Sequence, residues 1–170
     1  SQMNLLNNPL AESGIAVSTS EDIRWKRRDI KSVNLLAQCL AKQDAHSKGT
    51  NEGWMVEDGF VTEGVTSSAY IVKERKIITR PLSNSILPGI RRRTLIEIAE
   101  REGIELEQRL FTLEEALQAD EAFISSATTI TLPVVSIDGE KIADGIPGKI
   151  TGKLRKIYIK RLLEEANNSE

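Results

Sequence analysis

The stretch EDIRWKRRDIKSVNLL, residues 21–36, joins a charged segment to an apolar one. Residues 23–30 have the pattern of an extended segment. Side chains alternate along a strand, so Trp25, Arg27, Asp29 and Lys31 would share one face. Lys31 stands at the end of this segment, where the pattern changes. It is therefore the first candidate for a reactive amine.

The spacing from Ser32 onward predicts a helix. Its apolar positions fall at three- and four-residue steps, at Val33, Leu36, Cys39 and Leu40. Gly49 is expected just past its end, because glycine is common after the last helical residue. Cys39 would then be a buried structural thiol.

Downstream, hairpins are predicted around residues 57–59, 73–75 and 138–139, the first and third of which contain an Asp-Gly pair typical of tight turns. Helical spacing returns after residues 88, 112 and 151. The helices do not alternate with single strands, which argues against a doubly wound parallel sheet. We predict an α+β fold with a mostly antiparallel, hairpin-built sheet and three to four packed helices.

Composition excludes several classes of function. The 170 residues carry 23 Lys and Arg against 25 Asp and Glu, so no overall field attracts nucleic acid or an acidic membrane. One cysteine rules out an internal disulfide, and one histidine rules out a His-rich metal cluster. The sequence has no signal peptide and no apolar run long enough for a membrane span. We expect a cytoplasmic protein, with residues 1–14 as a linker or cloning remnant.

Lys31 by itself is ordinary, because most lysines are solvated. An aldehyde cofactor needs a neutral amine, and the neighbouring arginines and the apolar helix could lower the pKa of Lys31. Glu63, at the end of the first hairpin, could pair with a pyridine nitrogen. The helix start at residues 89–91 offers amides to a phosphate. Each feature also has an ordinary structural explanation; their combination suggests a pyridoxal phosphate site.

Five motifs carry a family resemblance: EDIRW (21–25), DIKS (29–32), VTEG (61–64), LPGI (87–90) and ADEAFISSATT (119–129). Together they resemble the class IV, or fold type IV, pyridoxal-phosphate aminotransferases, and most closely the bacterial D-amino-acid aminotransferases. The resemblance runs from about residue 15 to residue 160. It implies that residues 15–165 form the large, cofactor-binding domain, a sheet or pseudo-barrel with packed helices, followed by a frayed tail at residues 166–170.

The resemblance also implies roles for individual residues. Lys31 matches the Schiff-base lysine, which shuttles the proton during amino transfer. Glu63 matches the carboxylate that pairs with the pyridine nitrogen of pyridoxal 5'-phosphate. The amides of Gly89, Ile90 and Arg91 match the phosphate cradle. Two hydroxyl residues, Ser126 and Thr128, lie in the segment that lines the cofactor.

Three departures qualify this interpretation. Arg91 replaces a common threonine, and Ala127 replaces a hydroxyl residue, which removes two groups that could hold phosphate. The chain also begins at the family's interdomain linker, so we expect a cofactor domain that is inactive alone. The alternatives are a branched-chain L-amino-acid aminotransferase, an aminodeoxychorismate lyase-like domain, or a non-catalytic truncated domain. Amino acid and 2-keto acid substrates and a homodimer are implied in either aminotransferase case.

Overall fold

The computed structural model describes residues 5–168, and the ends of the predicted linker and tail, residues 1–4 and 169–170, lie outside it. Within the described range there are five helices and nine strands. The helices are α1 (Leu10–Ser13), α2 (Leu36–Ser47), α3 (Ile90–Arg101), α4 (Leu113–Leu117) and α5 (Lys149–Asn167). The strands are β1 (Ile15–Glu21), β2 (Glu52–Glu57), β3 (Phe60–Gly64), β4 (Ser68–Lys73), β5 (Lys76–Thr79), β6 (Leu106–Gln108), β7 (Glu121–Ser126), β8 (Ile130–Ile137) and β9 (Glu140–Lys141).

All nine strands belong to one mixed sheet in the order β3-β2-β1-β8-β7-β4-β5-β6, with β9 paired to β8. Five of the eight pairings are antiparallel, and β1–β2, β1–β8 and β5–β6 are parallel. The α+β class and the mostly antiparallel sheet are confirmed. The helix count exceeds the predicted three to four because α1, four residues long, lies within the predicted linker, where Leu10 and Ala11 pack against the core.

The three predicted hairpins form as expected. Asp58 and Gly59 have φ values of 53° and 81°, and Asp138 and Gly139 have 49° and 85°. Both pairs therefore adopt the left-handed conformation that tight two-residue turns require. The second hairpin joins β4 and β5 through Glu74 and Arg75, also at positive φ. The last helix begins at Lys149, two residues earlier than its predicted cap.

The core lies on both faces of the sheet. One cluster includes Val17, Trp54, Ile71 and Phe111, and a second, beneath α3 and α5, includes Leu95 and Tyr158. None of the helices in residues 5–168 combines the length and the hydropathy that a membrane span needs.

The predicted extended segment at residues 23–30 is wrong. Strand β1 ends at Glu21, and residues 22–35 form an irregular segment. Charged side chains are buried in this segment and apolar ones are exposed. Arg24 and Arg28 are buried, while Ile23 and Trp25 are 59% and 48% exposed. The buried arginines bind carboxylates, so side-chain ion pairs set the path of the backbone here.

The predicted buried stripe of α2 is also wrong. The helix begins at Leu36, not at Ser32, and Leu36 is 69% exposed. Cys39 is exposed as well, contrary to the buried thiol we predicted. The face toward the sheet consists of small residues, Ala41 and Ala45, because the helix lies close to Gly53 of β2. The predicted stop at Gly49 is confirmed, with φ 72°.

Candidate active site

A cavity of about 700 Å3 lies between the irregular segment before α2, the end of β3, the start of α3 and the end of β7. Most of the residues predicted for the site line it: Lys31, Glu63, Gly89, Ile90, Arg91 and Ser126. Thr128 is exposed, and its hydroxyl oxygen lies 3.1 Å from Ser126 Oγ. The fold therefore brings residues from four distant parts of the chain to one concave site.

Glu63 is the acid of this cavity and is only 5% exposed. Its Oε1 accepts a hydrogen bond from Arg24 Nη1 at 2.5 Å, and both carboxylate oxygens lie 3.2 Å from the backbone nitrogen of Leu87. Burial raises the pKa of Glu63, while Arg24 and the Leu87 amide oppose that rise. The next residue, Gly64, packs closely against Ser67, because a Cβ would lie 2.1 Å from Ser67 Oγ and 3.2 Å from Ser67 O.

Arg24 is shared between Glu63 and a second buried acid, Asp22. Its Nε donates to Asp22 Oδ1 at 2.9 Å and its Nη2 to Asp22 Oδ2 at 2.7 Å. Asp22 also accepts from Thr62 Oγ1 at 2.7 Å. Burial would raise the pKa of Asp22, but hydrogen bonds from Arg24 and Thr62 outweigh it and lower that pKa.

Arg28 extends the same network to the protein surface. Its Nη1 and Nη2 donate to the two carboxylate oxygens of Glu57 at 2.8 and 2.9 Å, and its Nε lies 3.5 Å from Asp22 Oδ1. The exposed Lys26 donates to Glu57 Oε1 at 2.6 Å. Hydrogen bonds from Arg28 and then Lys26 lower the pKa of Glu57 to about 2. Ion pairs therefore form an unbroken series from Glu63 in the cavity wall to Lys26 at the protein surface.

Lys31 is placed very differently. It is exposed, and its amine makes no hydrogen bond or ion pair with any residue in the 5–168 range. The nearest parts of the wall are also exposed, including Ile30 and Leu35 at 43% and 48%. The amine therefore lines the cavity without being engaged by any of the described residues.

The start of α3 supplies backbone donors to the opposite end of the cavity. The first amides of a helix have no intrahelical acceptor, and no side chain caps this one. The amide of Gly89 donates to Leu87 O at 2.9 Å, and the first intrahelical bond is from Arg93 to Gly89, so the amides of Ile90, Arg91 and Arg92 remain. The Arg91 side chain is held by Tyr158, with Nη1 3.0 Å from the hydroxyl and its guanidinium 5.2 Å from the ring centre.

Hydroxyl groups lie behind this end of the cavity. Ser125 lines the cavity, and its Oγ lies 2.9 Å from the hydroxyl of Tyr70. Burial raises the pKa of Tyr70, so the phenol stays neutral and can only share a proton in a hydrogen bond. Ser68, on the neighbouring strand, is in register with Ser125 and also lines the cavity.

Sequence reasoning missed the charged residues that hold Glu63, above all Asp22 and Arg24. Their alternation with Ile23 and Trp25 was a signal, since it put charges on one face of the segment and large apolar side chains on the other. The prediction grouped Trp25 with Lys31 on one face and assigned neither face to the interior. It also did not foresee the burial of Arg92, which is 2% exposed and donates to Thr79 Oγ1 at 2.7 Å and to Arg80 O at 2.8 Å.

Comparison with known proteins extends these observations. The family model described as amino-transferase class IV matches residues 3–137. The D-alanine aminotransferase of Bacillus licheniformis is 39% identical over 154 residues, covering 91% of this chain and 54% of the relative. That of Staphylococcus haemolyticus is 42% identical over 149 residues, covering 88% and 53%. The chain therefore spans about half the length of the curated relatives it matches.

Solved structures give the same picture of the fold. A branched-chain amino acid aminotransferase with pyridoxamine 5'-phosphate, from the organism abbreviated T.th., superimposes with a TM-score of 0.86 at 27% identity, covering 91% of this chain and 52% of that one. The enzyme from Thermobaculum terrenum in its PLP form gives a TM-score of 0.82 at 30% identity, covering 91% and 53%.

Proposed function

The chain belongs to the amino-transferase class IV family, and from that premise we propose that it is the cofactor-binding part of a pyridoxal-phosphate-dependent aminotransferase. The reaction would move an amino group between an amino acid and a 2-keto acid. The observation that supports this most strongly is the cavity itself. It has an unengaged lysine amine, Lys31, on one wall and a buried, hydrogen-bonded carboxylate, Glu63, on another.

The residues present fit pyridoxal phosphate. Arg24 donates to only one carboxylate oxygen of Glu63, Oε1, so Oε2 could accept from a further cation, such as a protonated ring nitrogen. The amides of Ile90 and Arg91 would hold the phosphate, with the positive end of the α3 dipole behind them. We propose Ser126 as a further phosphate or ring contact, with Thr128 acting only through Ser126.

In this arrangement the cofactor and the residues around it would have separate roles. When bound, the cofactor supplies the electron sink that lets a proton leave the alpha carbon of an amino acid. Lys31 Nζ would carry the covalent link to the cofactor and would accept and return that proton. Glu63 would hold the ring nitrogen protonated by charge pairing, and the helix start would orient the phosphate. The wide, partly apolar mouth of the cavity leaves the site open to water, so we expect little turnover from these 170 residues by themselves.

Two observations bear on the substrate. The relatives named D-alanine aminotransferases are nearer in sequence than the branched-chain enzymes among the solved structures, which supports a D-amino acid as donor. The structural likeness to branched-chain aminotransferases keeps an L-amino acid as the second candidate. Lyase chemistry and a non-catalytic role stay predictions.

We also propose a homodimer. The face formed by Ile23, Val33, Leu36 and Leu40 is apolar, and residues 5–168 leave these side chains 53–98% exposed. A second copy would remove this surface from water, which favours association. The cytoplasmic location stays a prediction.

Borohydride reduction in the presence of pyridoxal 5'-phosphate tests the assignment of Lys31. The reduced adduct should appear on the peptide that contains Lys31, should disappear in Lys31→Ala, and should persist in Lys42→Ala. Lys42 is the matched control because it lines the same cavity but donates to Asn51 O at 2.7 Å. Adduct spread over other lysines, and unchanged in Lys31→Ala, would refute the proposal.

A further inference from the structure

The carboxylate of Glu63 accepts a hydrogen bond from Arg24, whose guanidinium is held in place by three contacts. Arg24 contacts Glu63 with one nitrogen and Asp22 with the other two, so all three nitrogens of its planar fork are engaged. The three side chains are 8% exposed or less. An arginine held bidentately has a fixed position and direction, which a flexible ammonium would lack.

Asp22 is itself fixed at several atoms. Thr62 Oγ1 donates to its Oδ2 at 2.7 Å, and the backbone amides of Asp22 and Arg24 donate to Val56 O at 2.8 Å and to Asp22 Oδ1 at 3.2 Å. The anchor of Arg24 thus belongs to the sheet, through β2 and β3. The direction in which Glu63 faces is therefore set by the strands and not by the irregular segment alone.

The charges of this trio do not cancel. Asp22 and Glu63 each contribute one negative charge and Arg24 one positive charge, so the trio carries a net charge of about −1 when all are ionised. Burial disfavours an ionised Glu63, and Arg24 is the group that opposes this most. Without Arg24 the acid would be neutral over a wider pH range and could not pair with a cation.

We infer that Arg24, clamped by Asp22, is the positioning residue that keeps Glu63 ionised and directs its carboxylate into the cavity. Arg24 serves the site through Glu63 and need not contact a ligand. That an ionised Glu63 would pair with a protonated ring nitrogen rests on the proposed function. The effect on Glu63 itself does not, because it is a property of the ligand-free chain.

Other charged groups near Glu63 are engaged elsewhere. Arg80 Nη1 lies 3.3 Å from Val61 O, and Arg92 donates to Thr79 and to the carbonyl oxygen of Arg80. Both are near enough to interact electrostatically with Glu63. Among residues 5–168, however, Arg24 is the one side chain that donates a hydrogen bond to Glu63. Removing Arg24 should therefore have the largest effect on its ionisation.

Titration of the Glu63 carboxyl by NMR, in the ligand-free chain, tests the inference. The Glu63 signal is assigned by its loss in Glu63→Gln. In Arg24→Gln the midpoint should rise by about one pH unit or more, because an opposite charge in contact has been removed. In Arg24→Lys the rise should be smaller, since the charge remains but the fork does not.

Arg155→Gln is the matched control. Arg155 is 7% exposed, and its donors bind three backbone carbonyl oxygens, of Leu5, Thr129 and Thr131, away from the cavity. Its loss should leave the Glu63 midpoint unchanged even if the chain becomes less stable. An unchanged midpoint in Arg24→Gln overturns the inference. If Arg24→Gln does not fold, an unchanged midpoint in Arg24→Lys overturns it.

Equilibrium binding of pyridoxal 5'-phosphate separates this inference from the proposed function. At a pH below the Glu63 midpoints of both chains, Arg24→Gln should bind pyridoxal 5'-phosphate about tenfold more weakly for each unit by which its midpoint is higher, and the deficit should shrink as the pH rises above both midpoints. If the unaltered chain binds no pyridoxal phosphate, the proposed function fails. The Glu63 titration then still decides the role of Arg24.

Discussion

The two walls of the cavity are built in opposite ways. The acid wall, Asp22, Arg24, Arg28 and Glu63, is buried, and each of its charges is paired. The lysine wall, residues 25–27 and 29–40, is largely exposed, with Val33 98% accessible to solvent. The acid wall therefore depends on contacts within this chain, whereas the lysine wall makes few such contacts and should contribute little to stability.

The difference in stability between the two walls is tested most directly at two adjacent arginines, Arg28 and Arg27. Arg28→Gln should lower the free energy of unfolding by as much as about 3–5 kcal/mol, because it removes a buried guanidinium that pairs with Glu57 and lies beside Asp22. Arg27→Gln should leave the free energy of unfolding nearly unchanged, because its pair with Asp29 is exposed and screened by water. Urea denaturation at pH 7, followed by circular dichroism, measures both.

Each variant is the control for the other, since both remove one positive charge from neighbouring positions. Similar losses of the free energy of unfolding in the two variants would mean that the buried arginine and the exposed arginine contribute equally to stability. A large loss in Arg27→Gln alone would mean that the lysine wall contributes to stability in this chain after all.

The same contrast explains which features could be predicted from sequence. The hairpins at Asp58-Gly59 and Asp138-Gly139 were predictable because local turn chemistry fixes them. Lys31 and Glu63 were found through a family resemblance. Arg24 was not found, because its burial depends on Asp22 and Glu63 together, and that contact spans 39 residues of sequence.

The exposed helix face was missed for another reason. A pattern of apolar residues shows which side of a helix avoids water, but not whether this chain or another surface covers it. In α2, Ala41 and Ala45 face the sheet because Gly53 leaves room only for small side chains. The larger Leu36 and Leu40 point outward.

The two glutamates at opposite ends of the charged network, Glu57 and Glu63, should affect stability differently as the pH falls. The pKa of Glu57 is lowered from 4.5 to about 2, so its ionised form stabilises the fold above about pH 4.5, and this contribution is lost as the pH falls toward 2. The penalty of Glu57→Gln should thus be largest at pH 7 and should shrink at pH 3. Urea unfolding at pH 7, 4.5 and 3 measures the trend.

Glu63 should show the opposite slope. Burial raises its pKa, so its ionisation in the fold costs stability as the pH rises from the unfolded value through the raised one. Glu63→Gln should become relatively more stable, compared with the unaltered chain, between pH 3 and pH 7. Parallel slopes for the two glutamates would show that the buried end and the rim of the network have the same environment.

The smallest effect on folding is expected on the lysine wall. Leu36→Glu should change the free energy of unfolding of the dilute chain by less than about 0.5 kcal/mol, because the side chain is already 69% exposed. Its effect should appear instead in sedimentation at high concentration, where a charge on the face formed by Ile23, Val33, Leu36 and Leu40 opposes self-association. Lys48→Glu, at the far end of α2, changes charge away from this face and serves as the control. A dimer that persists in Leu36→Glu would place the contact between copies on another surface, whereas a large loss of folding stability would mean that this wall is buried within the chain.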